Sequence, residues 1–213
     1  MKRREFIAAA LAATAAVGLE GTAAFNGEAK ATEAKKSMKI LVLTGSPRKN
    51  GNSAALAAQF IKGAEEAGHT VTRFDAAFKN VHPCTACNSC GMDGPCVFQD
   101  DFQFVREHII PADLVAFSTP MYYFGFSSQL KAVIDRFYAI NGSIHVAKKA
   151  VLLMTYANTS PREAGPIKTH YEVLLDYLGW TDAGRVIAPG VWPAGAVNGT
   201  EYPRQAYELG RKL

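Results

Sequence analysis

The sequence predicts a doubly wound α/β domain built on a five-stranded parallel sheet with helices on both faces, and three observations predict it. Ile40-Leu41-Val42-Leu43, Leu114-Val115-Ala116-Phe117 and Val151-Leu152-Leu153-Met154 are continuous apolar runs, as strands buried on both faces of a parallel sheet must be. Two weaker strand-like segments lie at Val71–Phe74 and Arg185–Ala188. Stretches with helical period alternate with these runs, which is the pattern of consecutive strand–helix–strand units.

The elements follow in chain order. After Leu43, the residues Leu56, Phe60, Ala64 and Ala67 fall on one helical face, with Asn52 or Ser53 as the start signal and Gly68 as the stop. Asp100 followed by Gln103 reads as a capping box opening a second helix. A third is marked by Leu130, Val133, Ile134 and Phe137, and further helices are expected near Glu163–Leu178 and Glu201–Leu213. The chain has 213 residues and no internal repeat, enough for one domain with a substantial core.

The N-terminus reads differently. Met1-Lys2-Arg3-Arg4-Glu5-Phe6 is basic, and an alanine-rich apolar run follows to Leu19, shorter than the ~20 residues a membrane-spanning helix needs. Paired Arg3-Arg4 with Phe6 resembles the twin-arginine export signal, an address rather than an anchor, so residues 1–31 are expected to direct export to the periplasm or beyond. Ala29-Lys30-Ala31 and Thr22-Ala23-Ala24 compete as cleavage sites; residues 32–37 read as a linker and residues 38–213 as the domain. The formal charge of +4, from 23 basic and 19 acidic residues, is too mixed for a nucleic-acid surface and favours small-molecule chemistry.

In doubly wound sheets, ligands bind outside the carboxyl ends of the strands where the strand order reverses. Thr44-Gly45-Ser46-Pro47-Arg48-Lys49-Asn50-Gly51-Asn52-Ser53 occupies such a place, between the first strand and first helix. Its glycines, the Ser46 and Ser53 hydroxyls, Asn52 and the Arg48 guanidinium suit a phosphate at a helix N-terminus. It lacks the Gly-Lys-Ser/Thr ending of a nucleotide triphosphate loop and the Gly-x-Gly-x-x-Gly dinucleotide pattern. After the third run, Pro120-Met121-Tyr122-Tyr123-Phe124-Gly125 puts three consecutive aromatics at the same sheet edge, where they call for a flat partner. Thr155 opens the loop after the fourth strand.

All four cysteines lie in one segment, Cys84-x2-Cys87-x2-Cys90-x5-Cys96. Four thiolates with small residues between them suit an iron–sulfur cluster; a zinc site, disulfides or free thiols are the alternatives. None of the five histidines has a paired metal spacing, and His82, two residues before Cys84, is the one of interest.

The segment from Gly45-Ser46-Pro47-Arg48 to Asn52-Ser53 resembles the phosphate loop of NADPH-dependent FMN reductases, and Pro120-x-Tyr122-Tyr123-Phe124-Gly125 resembles the flavin-facing loop of that family. The cysteine segment, read through Cys84, Cys87, Cys90 and Cys96, resembles the compact motif by which iron–sulfur flavoproteins hold a [4Fe–4S] cluster beside FMN. The resemblance implies a flavodoxin-like fold and FMN held by Ser46, Arg48, Asn52, Ser53, Pro120, Met121, Tyr122, Tyr123, Phe124, Gly125 and Thr155. It further implies NAD(P)H as electron donor, a quinone, flavin or redox protein as acceptor, and a homo-oligomer. No general acid or base is assigned, since the flavin carries the chemistry.

Overall fold

The computed structural model describes residues 36–213, in which five strands form one all-parallel sheet in the order β2-β1-β3-β4-β5. The strands are β1 (Lys39–Thr44), β2 (Thr70–Asp75), β3 (Leu114–Pro120), β4 (Lys149–Thr155) and β5 (Thr181–Ala188). The helices are α1 (Asn52–Glu66), α2 (Phe102–Ile109), α3 (Ser128–Asp135), α4 (Asn141–Ile144), α5 (Gly165–Leu178) and α6 (Tyr202–Lys212). This is the flavodoxin-like order. The expected export signal, and most of the linker after it, lie outside the described residues.

The continuous apolar runs are explained by burial on both faces. Leu41, Leu43, Val115, Phe117, Leu152 and Met154 face a core shared with α2, α3 and α5. Their alternates Ile40, Val42, Leu114, Ala116, Val151 and Leu153 face α1 and α6. On that second side the helices meet backbone to backbone. A Cβ on Gly63 would stand 2.1 Å from the Tyr207 carbonyl oxygen, and one on Gly210 would stand 2.2 Å from that of Phe60, so only glycine lets α6 dock this closely.

Helix ends show where local signals were followed and where they were overridden. Gly68 is left-handed at φ +88°, as the stop after α1 requires. Trp180 N–H donates to the Leu175 carbonyl (2.9 Å) around left-handed Gly179, closing α5 in a Schellman turn. The expected caps of α1 are different: Gly51 is the N-cap and no side chain caps the helix. The capping box at α2 is half made. Asp100 accepts from Phe102 N–H (3.0 Å), but Gln103 turns away to Glu107 (3.0 Å). Phe137 leaves α3 for a 3-10 turn over Arg136–Ile140.

Candidate functional site

The strand order reverses between β1 and β3, so the loops leaving these two strands flank the crevice at the carboxyl edge. They are tied together there. Gly45 N–H donates to the Ser118 carbonyl (2.8 Å), the Ser118 hydroxyl to the Ser53 carbonyl (2.9 Å), and the Ser127 hydroxyl to the Gly45 carbonyl (2.7 Å). Gly45 is required by this packing: its Cβ would meet Ser127 Oγ at 2.3 Å and Leu130 Cβ at 2.7 Å. Sequence reasoning assigned the glycine to ligand approach; the neighbour it admits is α3.

A cavity of about 110 Å³ opens where the loops after β1, β3, β4 and β5 converge. Ser46, Arg48, Asn52, Ser53, Pro120, Met121, Tyr122 and Thr155 all line it. Tyr156, Ala157, Val191 and Trp192 complete the wall and were not assigned from sequence. Within the phosphate-type loop the Ser46 hydroxyl is 3.2 Å from both Arg48 N–H, from which it accepts, and the Arg48 carbonyl, to which it donates. Arg48 itself is exposed. The Asn52 amide reaches across the crevice, donating to the Val191 (3.1 Å) and Pro193 (2.8 Å) carbonyls and accepting from Val197 N–H (3.2 Å). The first turn of α1 has neither a side-chain cap nor an acidic residue, so its N–H groups and positive dipole end are left for an anion.

The aromatic run does not form one flat patch. Tyr122 and Gly125 exchange N–H···O bonds of 3.1 Å, closing a two-residue turn in which Tyr123 (φ +43°) and Phe124 (φ +67°) are both left-handed. Tyr122 faces the cavity, whereas Tyr123 and Phe124 project from the tip, Tyr123 being 99% exposed. Gly125 closes the turn and does not line the cavity.

The four cysteines, none of them in a disulfide, line one small apolar hollow with Val97, Phe98 and Tyr138. Ala86, Asn88 and Met92 have left-handed backbones, so the loop wraps tightly without glycine at those points. No three His, Cys, Asp or Glu side chains among the described residues converge as a single metal ion would require. Hydrogen bonds from the Ser89 hydroxyl and backbone N–H, outweighing slight desolvation, hold the Cys87 thiol below its ordinary pKa.

Residues 38–192 match the family described as NADPH-dependent FMN reductase. The chain belongs to that family. An iron–sulfur flavoprotein of Archaeoglobus fulgidus is 29% identical to it over 178 residues, 83% of this chain and 79% of the relative. A second from the same organism is 33% identical over 139 residues, 65% of this chain and 71% of the relative. Among solved structures, an NAD(P)H:quinone oxidoreductase from Methanothermobacter marburgensis superposes with TM-score 0.69 at 21% identity, covering 84% of this chain and 96% of that one.

In this FMN reductase family member the neck of the cysteine loop is built around a buried ion pair. Arg136 is 1% exposed; its Nη1 donates to Asp100 Oδ2 and to the His82 carbonyl, both at 2.9 Å. Its Nη2 donates to the Phe98 carbonyl and Asp100 Oδ1, both at 3.3 Å. One guanidinium therefore joins the residue two before Cys84 to the residue two after Cys96. Asp100 also accepts from His82 N–H (2.8 Å), and the His82 ring stacks on Phe98 at 3.8 Å, so His82 braces the loop. Burial pushes the Asp100 carboxyl up, but the Arg136 side chain, the N–H groups of His82 and Phe102, and the guanidinium charge outweigh it and hold the pKa below the usual carboxylate range. Farther along, Arg106 donates to the Gly94 (2.8 Å) and Ala139 (3.1 Å) carbonyls, and Asp93 accepts from Ser143 N–H (3.0 Å) and hydroxyl (2.7 Å). In this reductase fold the cysteine loop is thus positioned by α2, α4 and the 3-10 turn.

Proposed function

We propose that the chain is an FMN-dependent oxidoreductase that takes electrons from NAD(P)H and delivers them to a small-molecule acceptor such as a quinone or flavin. The observation that carries this reading is the convergence of four strand-exit loops on one cavity whose phosphate end is an uncapped, acid-free helix N-terminus. A Cβ on Gly51 would stand 2.8 Å from Ser46 Oγ, so the cradle keeps its shape only with glycine there. FMN, when bound, supplies hydride acceptance and onward electron transfer. The chain's own residues orient it: the first-turn N–H groups of α1 and Arg48 hold the phosphate, Ser46 fixes the turn that presents Arg48, and Tyr122 and Met121 flank the ring. In the same reading Cys84, Cys87, Cys90 and Cys96 hold a [4Fe–4S] cluster, which fits four free thiols around one apolar hollow. Arg48→Ala is expected to weaken FMN about tenfold or more, one lost charge-assisted phosphate contact being worth roughly 1.5–3 kcal/mol. Flavin titration measures it; unchanged affinity, or FAD in the purified protein, would overturn the placement.

A second reading, a one-electron relay between redox proteins, is favoured by the aromatic tip of Tyr123 and Phe124 beside the cavity, which suits a protein surface better than a small acceptor. NAD(P)H oxidation by the purified protein separates the two. The resemblance also proposes a homo-oligomer, which sedimentation would measure.

Export by the twin-arginine route is proposed on Arg3-Arg4 and the short apolar run after them. The double variant Arg3→Lys with Arg4→Lys is expected to stay in the cytoplasm, because lysine lacks the guanidinium fork the receptor reads. Undiminished export in cell fractions would rule the route out.

A further inference from the structure

Trp192 stands at the mouth of the cavity between the strand-exit loops and is 71% exposed. The chain's other tryptophan shows what an indole ordinarily gains from this fold. Trp180 is buried, stacks on Phe117 and donates from its ring N–H to the Ile144 carbonyl (2.8 Å). Among the described residues the Trp192 ring has neither a stacking partner nor an acceptor for its N–H. Its backbone, by contrast, is fixed on both sides. Gly190 N–H donates to the Asn158 carbonyl (2.9 Å) and Val191 N–H to that of Tyr156 (3.1 Å), while the Asn52 amide holds the Val191 and Pro193 carbonyls. Val191 is buried, and left-handed Gly190 (φ +73°) and Gly195 (φ +82°) frame the segment. The loop is a rigid mount, and the indole turns on its two side-chain torsions alone.

The cavity is small for a flavin. Its volume of about 110 Å³ lies well below the roughly 300 Å³ at which cofactor pockets begin, so a wall must give before the ring enters. Ser46, Asn52, Ser53, Thr155, Tyr156 and Val191 are buried and held by their neighbours. The exposed side chains on the wall are Arg48, Tyr122 and Trp192. Arg48 belongs to the phosphate end, and Tyr122, at 43%, is less exposed than Trp192. The indole has the least to lose by moving. An aromatic ring without a partner, mounted at the mouth of a site for a flat ligand, gains most by lying against that ligand. Because β4 separates β3 from β5 in the sheet, the loops carrying Tyr122 and Trp192 reach the cavity from opposite sides of the β4 loop.

We propose that Trp192 is a swinging cover for the donor site: its indole turns inward over the outer face of the flavin, and a nicotinamide ring must displace it to reach that face. The proposal rests on the FMN-dependent reading above. A cover that stands in the donor's place lowers the donor's apparent affinity to the uncovered fraction of its intrinsic value. A site covered about nine-tenths of the time binds the donor about tenfold more weakly than an open one.

The experiment uses the full chain loaded with FMN and, as probes, the tetrahydro derivatives of NADH and NADPH, which cannot give up hydride. Trp192→Ala removes the cover and Trp192→Phe keeps a smaller one; the side chain is exposed, so neither change touches the core. In Trp192→Ala the Kd of the bound analogue should fall about tenfold, and in Trp192→Phe by less. The KM for NAD(P)H should fall in step, while the limiting rate of flavin reduction changes little, a split that a merely structural role would not produce. FMN release should become about tenfold faster in Trp192→Ala, because the ring loses the indole that rests on it. Weaker analogue binding in Trp192→Ala would show that the indole helps to hold the nicotinamide, and unchanged binding that it does not reach that face; either result overturns the proposal. If NAD(P)H reduced the flavin of neither wild type nor variant, the donor half of the FMN-dependent reading would fail instead. The cover would then be judged by flavin release alone: faster release from Trp192→Ala supports it, and an unchanged rate overturns it.

Discussion

Asp100→Asn is expected to destabilise the domain by roughly 3–5 kcal/mol, the usual cost of removing one partner from a buried ion pair and leaving the other charge uncompensated. The pair is well enclosed, with side chains 1% and 6% exposed. The effect has a pH signature. Because the folded Asp100 pKa lies below its unfolded value near 3.9, the carboxylate contributes stability that is complete above that value and is lost as pH falls through the depressed folded one. Urea midpoints of wild type and variant should therefore differ most at neutral pH, and the difference should shrink as pH falls below the unfolded value. Equal midpoints at pH 7 would show that the pair does not hold the loop neck. The double variant Asp100→Leu with Arg136→Met should recover much of the loss, since apolar replacement of both partners removes the buried charges together.

The second large effect concerns the cysteines. Protein made without oxygen is expected to hold about four iron and four sulfide per chain, and Cys90→Ser should lose most of that iron. FMN should stay bound in the variant, because no cysteine lines the cavity between the strand-exit loops. Iron and sulfide assays with flavin spectra check both halves. Iron-free anaerobic protein, or an intact mass showing two disulfides, would leave a flavin reductase without a cluster. Zinc at one per chain would favour the structural-metal alternative.

Most of the fold was legible because its signals are local. Continuous apolar runs, a glycine stop after α1 and a helical period in each connection depend on neighbours within a few residues. What escaped depends on partners far along the chain. Asp100 reads as a helix cap from its neighbours, and it does accept from Phe102 N–H, but its strongest partner is Arg136, 36 residues away. Asn52 reads as a cap or a ligand contact, yet its amide serves a loop more than a hundred residues distant. The turn after β3 escaped for another reason. A two-residue turn with both central residues left-handed normally announces itself as Asn-Gly, and Tyr123-Phe124 gives no such sign; of the three aromatics, Tyr122 lines the cavity.

The reach of Asn52 has a thermodynamic corollary. Its contacts, to Val191, Pro193 and Val197, span 139 to 145 residues and fasten the segment after β5 to the first turn of the helix whose N-terminus faces the cavity. A ligand that binds the native arrangement there and not the unfolded chain adds its binding free energy to whatever opening it prevents. Opening of the 189–212 segment breaks those contacts, so occupancy at the front of the sheet and protection of the C-terminal helix are linked functions. Amide hydrogen exchange in α6 then becomes a gauge of cofactor loading, read from a helix that does not line the cavity.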